Sequence, residues 1–201
     1  YACWKGRVNA VRVLLAVNGI QVNQAMKGGR SPLNSACLSG HFKVVEILLA
    51  ADGIQVNQAS NKGSTPLHFA CQKGHLKVVK MLLAVGGVQV NQATDNGRIP
   101  LHDACKEGHL KIVEMLLAVD DIQVNQATNK GWTPLSFACR EGHLKVVEML
   151  LAVDCIQVSQ GTNKGLTPLC FACGKGHLKV VDRLLAVDCI QVNQATNKGT
   201  T

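Results

Sequence analysis

A 34-residue repeat constrains this chain more than any other feature. Gly-His recurs at 40/41, 74/75, 108/109, 142/143 and 176/177, and Pro-Leu at 32/33, 66/67, 100/101, 134/135 and 168/169. Every step in both series is 34 residues. Self-similarity at such a period means stacked supersecondary units that bury their apolar faces on one another. It overrides the one or two globular domains that 201 residues would otherwise suggest.

The copy at 131–164 reads as follows. Thr133 can accept the free N–H groups of a helix start, and Pro134 suits the first helical position, where its missing N–H costs nothing. The helix runs to about Glu141, and Gly142 stops it by turning left-handed. A second helix follows from about His143 to Ala152. Leu144, Val147, Leu150 and Leu151 form its apolar stripe, with Lys145 and Glu148 on the wet side. Val153 to Gln160 reads as a turn, a short extended Ile-Gln-Val piece and a projecting hairpin tip ending at Asn163-Lys164-Gly165.

Gly63-Ser-Thr-Pro-Leu-His-Phe-Ala-Cys71, Gly74-His-Leu-Lys-Val-Val79, Leu82-Leu83 and Val90-Asn91 resemble the ankyrin repeat in order and spacing. The resemblance covers essentially the whole chain. It implies an all-α ankyrin-repeat solenoid of helix-turn-helix units with short β-hairpin loops. One departure is systematic, because the family period is usually 33 residues and here it is 34. The extra residue lies in the turn after the second helix.

The chain is expected to be a single ankyrin-repeat domain, 1–201. Residues 1–28 form a partial unit, five complete units span 29–62, 63–96, 97–130, 131–164 and 165–198, and 199–201 start another. Opening and closing mid-motif, it reads as an interior piece of a longer array. No signal peptide is visible, and no apolar run approaches the roughly 20 residues that span a bilayer.

Six of the nine cysteines share one column: Cys3, Cys37, Cys71, Cys105, Cys139 and Cys173. Stacked helices stand roughly 8–10 Å apart, whereas a disulfide needs Cα atoms within about 7 Å. The column is therefore expected to be a buried ladder of reduced thiols. That implies an intracellular, reducing compartment, cytoplasm or nucleus. Cys155 and Cys189 fall in the turn and are expected to be exposed. Cys170 and Cys173 with His177 suggest a metal clip, but a structural zinc site wants four ligands, so no metal and no cofactor is expected.

His41, His75, His109, His143 and His177 open the second helices, while His68 and His102 follow Pro-Leu. The resemblance implies that these positions tie helices to loops by hydrogen bonds. His102 and Asp103 are sequence neighbours and diverge on a helix, so they make no dyad. The chain is not expected to be an enzyme. The resemblance also makes Asn23, Asn57, Asn91, Asn125 and Asn193, each after Val in the hairpin, candidates for asparaginyl hydroxylation, with Ser159 breaking the series.

The net charge is +8, and Lys43, Lys77, Lys111, Lys145 and Lys179 place one cation per unit on the outer side of the second helix. Such a stripe suits phosphates, but it also suits a solvated face, and aromatics for stacking bases are only 3% of the chain. Electrostatic binding of nucleic acid or anionic surfaces is the alternative reading. A scaffold role for missing flanking domains is a third.

Columns that differ between units mark surfaces free to specialise. After the unit-opening Gly stand Arg30, Ser64, Arg98, Trp132 and Leu166. Late in the first helix stand Gln72, Lys73, Lys106 and Arg140, and Lys130 precedes Gly131. In the resembled family, hairpin tips and the first-helix face line a concave groove that grips proteins. These ten residues are therefore the expected partner-binding set, centred on Trp132, whose ring is expected to stand exposed because Ser64 and Leu166 fill its column without one. The expected function is non-catalytic protein binding by a monomer, with an acidic or amphipathic protein segment as the partner. Ile99 stands where Thr65, Thr133 and Thr167 cap other units, so Ile99→Thr is expected to stabilise the chain by about 1 kcal/mol.

Overall fold

In the computed structural model, residues 1–193 are described. The start of a unit expected at 199–201, and the end of unit 165–198, lie outside the described residues. The chain forms two compact bodies, Tyr1–Asp95 and Asn96–Thr201. The first contains α1 (Val8–Leu15), α2 (Pro32–Ser39), α3 (Phe42–Leu49), α4 (Pro66–Lys73) and α5 (Leu76–Leu83). The second contains α6 (Pro100–Glu107), α7 (Leu110–Leu117), α8 (Pro134–Glu141), α9 (Leu144–Leu151), α10 (Pro168–Lys175) and α11 (Leu178–Leu185). Within the first body α2 packs on α4, and α1 and α3 each pack on the next second helix; within the second, α6, α8 and α10 form one layer and α7, α9 and α11 another.

Among the described residues every helix has eight residues, too short to persist alone in water. Local chemistry sets the ends of the first helices. Ser31, Thr65, Thr133 and Thr167 accept the N–H three residues on, at 3.1, 3.4, 3.1 and 3.3 Å, and Pro occupies the first turn. Gly142 ends α8 in the left-handed region at φ 75°. The second helices have no side-chain cap. Packing supplies the rest: Leu33, Leu67, Leu101 and Leu135 on the first helices, and Val45, Val79, Val113 and Val147 on the second, are at most 2% exposed. Ala36, Ala70, Ala104, Ala138 and Ala172 are fully buried, small enough to let neighbouring first helices approach.

The Gly-His signature has a mechanical reason. His143 Nε2 hydrogen-bonds the Lys106 carbonyl at 3.0 Å, and His177 Nε2 the Arg140 carbonyl at 2.9 Å. His41 and His75 do the same to Trp4 and Leu38 in the first body. The His75, His143 and His177 imidazoles thus reach back to the last turn of the preceding first helix, and His41 to the turn at 2–6, each lying over the glycine that closes that segment. A Cβ on Gly142 would come within 2.6 Å of the His177 ring.

No β-strand occurs among the described residues, so the expected hairpins are turns instead. The tip at 128–132 closes by Thr128 N–H to the Trp132 carbonyl (2.9 Å) and Gly131 N–H to the Thr128 carbonyl (2.8 Å). Successive tips share one backbone rung, Asn129 N–H to the Asn96 carbonyl and Asn163 N–H to the Lys130 carbonyl, at 3.0 and 3.1 Å. One rung per unit holds the tips together but makes no ladder.

The added residue sits in a β-turn. Ile54 N–H bonds the Ala51 carbonyl and Ile122 N–H the Val119 carbonyl. Gly53 takes φ 70° there, as the third residue of a type II turn requires, while Asp121, Cys155 and Cys189 in the same column have no positive φ. Asn125 then clamps the next turn, donating to the Cys155 carbonyl (2.7 Å) and accepting from Gln157 N–H (2.9 Å). Asn23 and Asn57 repeat this arrangement; Ser159 keeps only the bond from Gln191 N–H.

The thiol ladder is shorter than expected. Cys37, Cys71, Cys105 and Cys139 are buried, and burial pushes the thiols of Cys37, Cys105 and Cys139 up. Cys3 is half-buried and Cys173 is exposed, because among the described residues no first helix follows α10 to cover it. Cys155 and Cys189 are exposed as expected. Among the described residues no three His, Cys, Asp or Glu side chains form a metal-holding group, and no helix is long and apolar enough to cross a membrane.

Candidate functional site

The site grows from the tip at 128–132 and the helix it feeds. Thr133 caps α8, so Trp132 sits just before the cap, and Phe137 and Arg140 follow on that helix. The Trp132 ring lies 5.1 Å from Phe137 and stacks at 4.1 Å on Phe171 of α10. The Arg140 guanidinium lies over the same indole, 5.5 Å from its centre. Trp132 is therefore half-buried and holds two units together. This corrects the exposed ring expected from the sequence: Ser64 and Leu166 show that the column does not require a ring, but not that a ring placed there stays in water.

His102 fixes the tip from the preceding unit. Its Nε2 donates to the Trp132 carbonyl (3.1 Å), its Nδ1 accepts Ile99 N–H (3.0 Å), and its ring makes a T-shaped pair with Phe137, centroids 5.8 Å apart. Burial lowers its pKa from 6.5 to about 4, so the imidazole is neutral, with one nitrogen donating and the other accepting. Ile99 has no capping oxygen, as expected, but it is fully buried and its N–H is satisfied by His102. Packing holds Ile99 in place.

Asp103 is 3% exposed and lies 3.4 Å from the Arg98 guanidinium. Burial raises its pKa from 3.8 to about 6, against the pull of Arg98. Arg98 and Asp103, like Trp132 and Phe137, are five residues apart, and both positions change from charged to aromatic between those two units, whereas Phe69 and Phe171 follow Ser64 and Leu166. The signal that could have revealed Phe137 from sequence is its column, which also holds Phe69 and Phe171. What the column does not show is that Phe171 meets the Trp132 of another unit.

Between the tips opens a groove of about 410 Å3, lined by Asn96, Arg98, Thr128, Asn129, Lys130, Trp132, Phe137 and Arg140. Four of the expected residues, Arg98, Lys130, Trp132 and Arg140, meet there. Three cations line it and no carboxylate does. Arg140 has an exposed partner in Glu141 at 3.3 Å, and Lys106, outside the groove, bonds Glu107 at 2.7 Å. Leu166 lies on the next tip and does not line the groove; nor do Arg30, Ser64, Gln72 and Lys73, which belong to the first body. The outer lysines 43, 77, 111, 145 and 179 are exposed, and Lys111 and Lys145 reach Glu114 and Glu148 at 3.6 and 2.9 Å.

A family model described as ankyrin repeats (3 copies) matches residues 1–60, 53–128, 82–161 and 118–196. No curated protein matches the chain.

Proposed function

Because the chain belongs to the ankyrin-repeat family, whose repeats are generally non-catalytic protein–protein interaction modules, we propose that it binds a partner protein through the tip and first-helix face of its second body. The observation that carries this reading is the groove of about 410 Å3, where tip residues and first-helix residues converge over an aromatic floor. A groove with a half-buried aromatic and arginines has the composition that anchors protein interfaces. The occupant is an acidic or amphipathic segment of the partner.

Trp132 is a poor probe of this reading, because its ring also joins two units. Arg140 and Lys130 are better, since removing either leaves the stacked rings in place. The test is affinity capture with the native chain, an Arg140→Ala/Lys130→Ala variant and a Lys145→Ala variant, with quantitative mass spectrometry. A partner retained by native and Lys145→Ala protein but lost by the groove variant supports the groove. Equal loss with Lys145→Ala would move the working surface to the outer lysines.

A further inference from the structure

We propose that the groove recognises clustered carboxylates of an acidic polypeptide segment, with Arg140 and Lys130 as the contacting cations and Trp132 as the residue that positions Arg140. The inference rests on the protein-binding reading and narrows its partner.

Charge complementarity carries it. Three cations line the groove with no carboxylate among the lining residues. The three are not equivalent. Arg98 is held from behind by Asp103, whose carboxyl is almost wholly buried, so its charge is partly spent inside the protein. Among the described residues Arg140 pairs only with Glu141, and both side chains are more than a third exposed. An exposed pair of this kind contributes little and exchanges readily for another carboxylate. Lys130 projects from the tip, exposed.

Arg140 is also shaped for the task. Its guanidinium lies over the Trp132 indole, and Phe171 and Phe137 hold that indole in turn. A guanidinium held over a ring loses less freedom on binding, which suits contact with a carboxylate. The adjoining tip does not repeat the device: Leu166 stands in the Trp132 column and Gly174 in the Arg140 column. The stacked cation therefore belongs to one groove of the second body. An indole already stacked at 4.1 Å on Phe171 has less to offer a nucleic-acid base, which favours an acidic peptide over the oligonucleotide that three cations alone would also attract.

The probes are a fluorescein-labelled ten-residue peptide of alternating Glu and Leu, its Gln-for-Glu counterpart, and a labelled twelve-nucleotide single strand. Binding is read by anisotropy on the full chain. The Glu peptide is expected to bind at least tenfold tighter than the Gln peptide and tighter than the oligonucleotide. Arg140→Ala, Arg140→Lys and Lys130→Ala each weaken it about fivefold, while Lys145→Ala changes nothing. Glu141→Gln strengthens it about twofold, because an internal competitor is gone; a merely structural role for Arg140 would not produce that gain. Circular dichroism melts confirm that the variants fold. Equal binding of the Gln peptide, or tighter binding of the oligonucleotide, overturns the inference. So does absence of peptide binding while the groove still captures a partner protein, a result that leaves the protein-binding reading standing.

Discussion

Replacing one glycine should cost far more than replacing its equivalent one unit later. Gly142 and Gly176 both close first helices in the left-handed region, at φ 75° and 72°. A side chain there costs about 1 kcal/mol in backbone strain, so Gly176→Ala, with nothing within 4 Å of its new Cβ, should lose about that much. Gly142→Ala drives a methyl to within 2.6 Å of the His177 ring. Overpacking of this kind costs about 1–3 kcal/mol. Displacing the ring also breaks its 2.9 Å bond to the Arg140 carbonyl, worth about 1 kcal/mol. The expected loss is therefore about 3–5 kcal/mol for Gly142→Ala. Urea unfolding followed by far-ultraviolet circular dichroism measures both, with slopes compared, because repeat arrays do not always unfold in one step. A double-mutant cycle isolates the cause: with His177→Ala already present, Gly142→Ala should fall to about 1 kcal/mol. Losses for the two glycines within about 0.5 kcal/mol of each other would refute the histidine seat as the reason for Gly-His.

Trp132→Ala should lower stability by about 2 kcal/mol in the same assay, since the half-buried ring stacks on Phe171 and Phe137; a loss below about 0.5 kcal/mol would return it to the surface. Ile99→Thr should leave the unfolding midpoint unchanged or lower, because a new cap of about 1 kcal/mol is set against about two buried carbons at about 0.8 kcal/mol each. Stabilisation would show that Ile99 packs poorly. His102, lowered to about 4, and Asp103, raised to about 6, pull stability in opposite directions with pH. Between pH 6.5 and 4 the unfolded chain protonates His102 first, which costs up to about 3 kcal/mol; between about 6 and 3.8 the folded chain protonates Asp103 first, which offsets it. Asp103→Asn should therefore steepen the loss of stability from pH 6 to 4.5, and an unchanged slope would contradict the pairing. Thiol labelling of native protein should be fast at Cys155, Cys173 and Cys189 and slow at Cys37, Cys71, Cys105 and Cys139, as followed by mass spectrometry; fast labelling of Cys105 would sink the buried column.

The sequence by itself determined whatever depends on one unit. Thr133, Pro134 and Gly142 set the ends of α8 because capping is local. Val147 and Leu150 lie on the buried face because helical period fixes which residues share a face, while Leu144 and Leu151 of the same expected stripe are only half-buried. The outer lysines and the exposed turn cysteines followed from the same periodicity. The tertiary structure decided what depends on two unlike units meeting. Trp132 is structural because Phe171 lies above it, and a comparison of equivalent positions never sets those two side by side. Cys173 differs from Cys139 only in what covers it. Ile99 manages without a hydroxyl because His102 N–H, the donor a capping Thr would take, bonds the Ile99 carbonyl at 3.0 Å, and its burial is visible only once neighbouring helices are in place. The tips fall short of strands because neighbouring units bring one backbone rung into register at each. Repetition specifies the contacts that every unit shares, whereas the groove is built from contacts that one pair of units makes and the others do not.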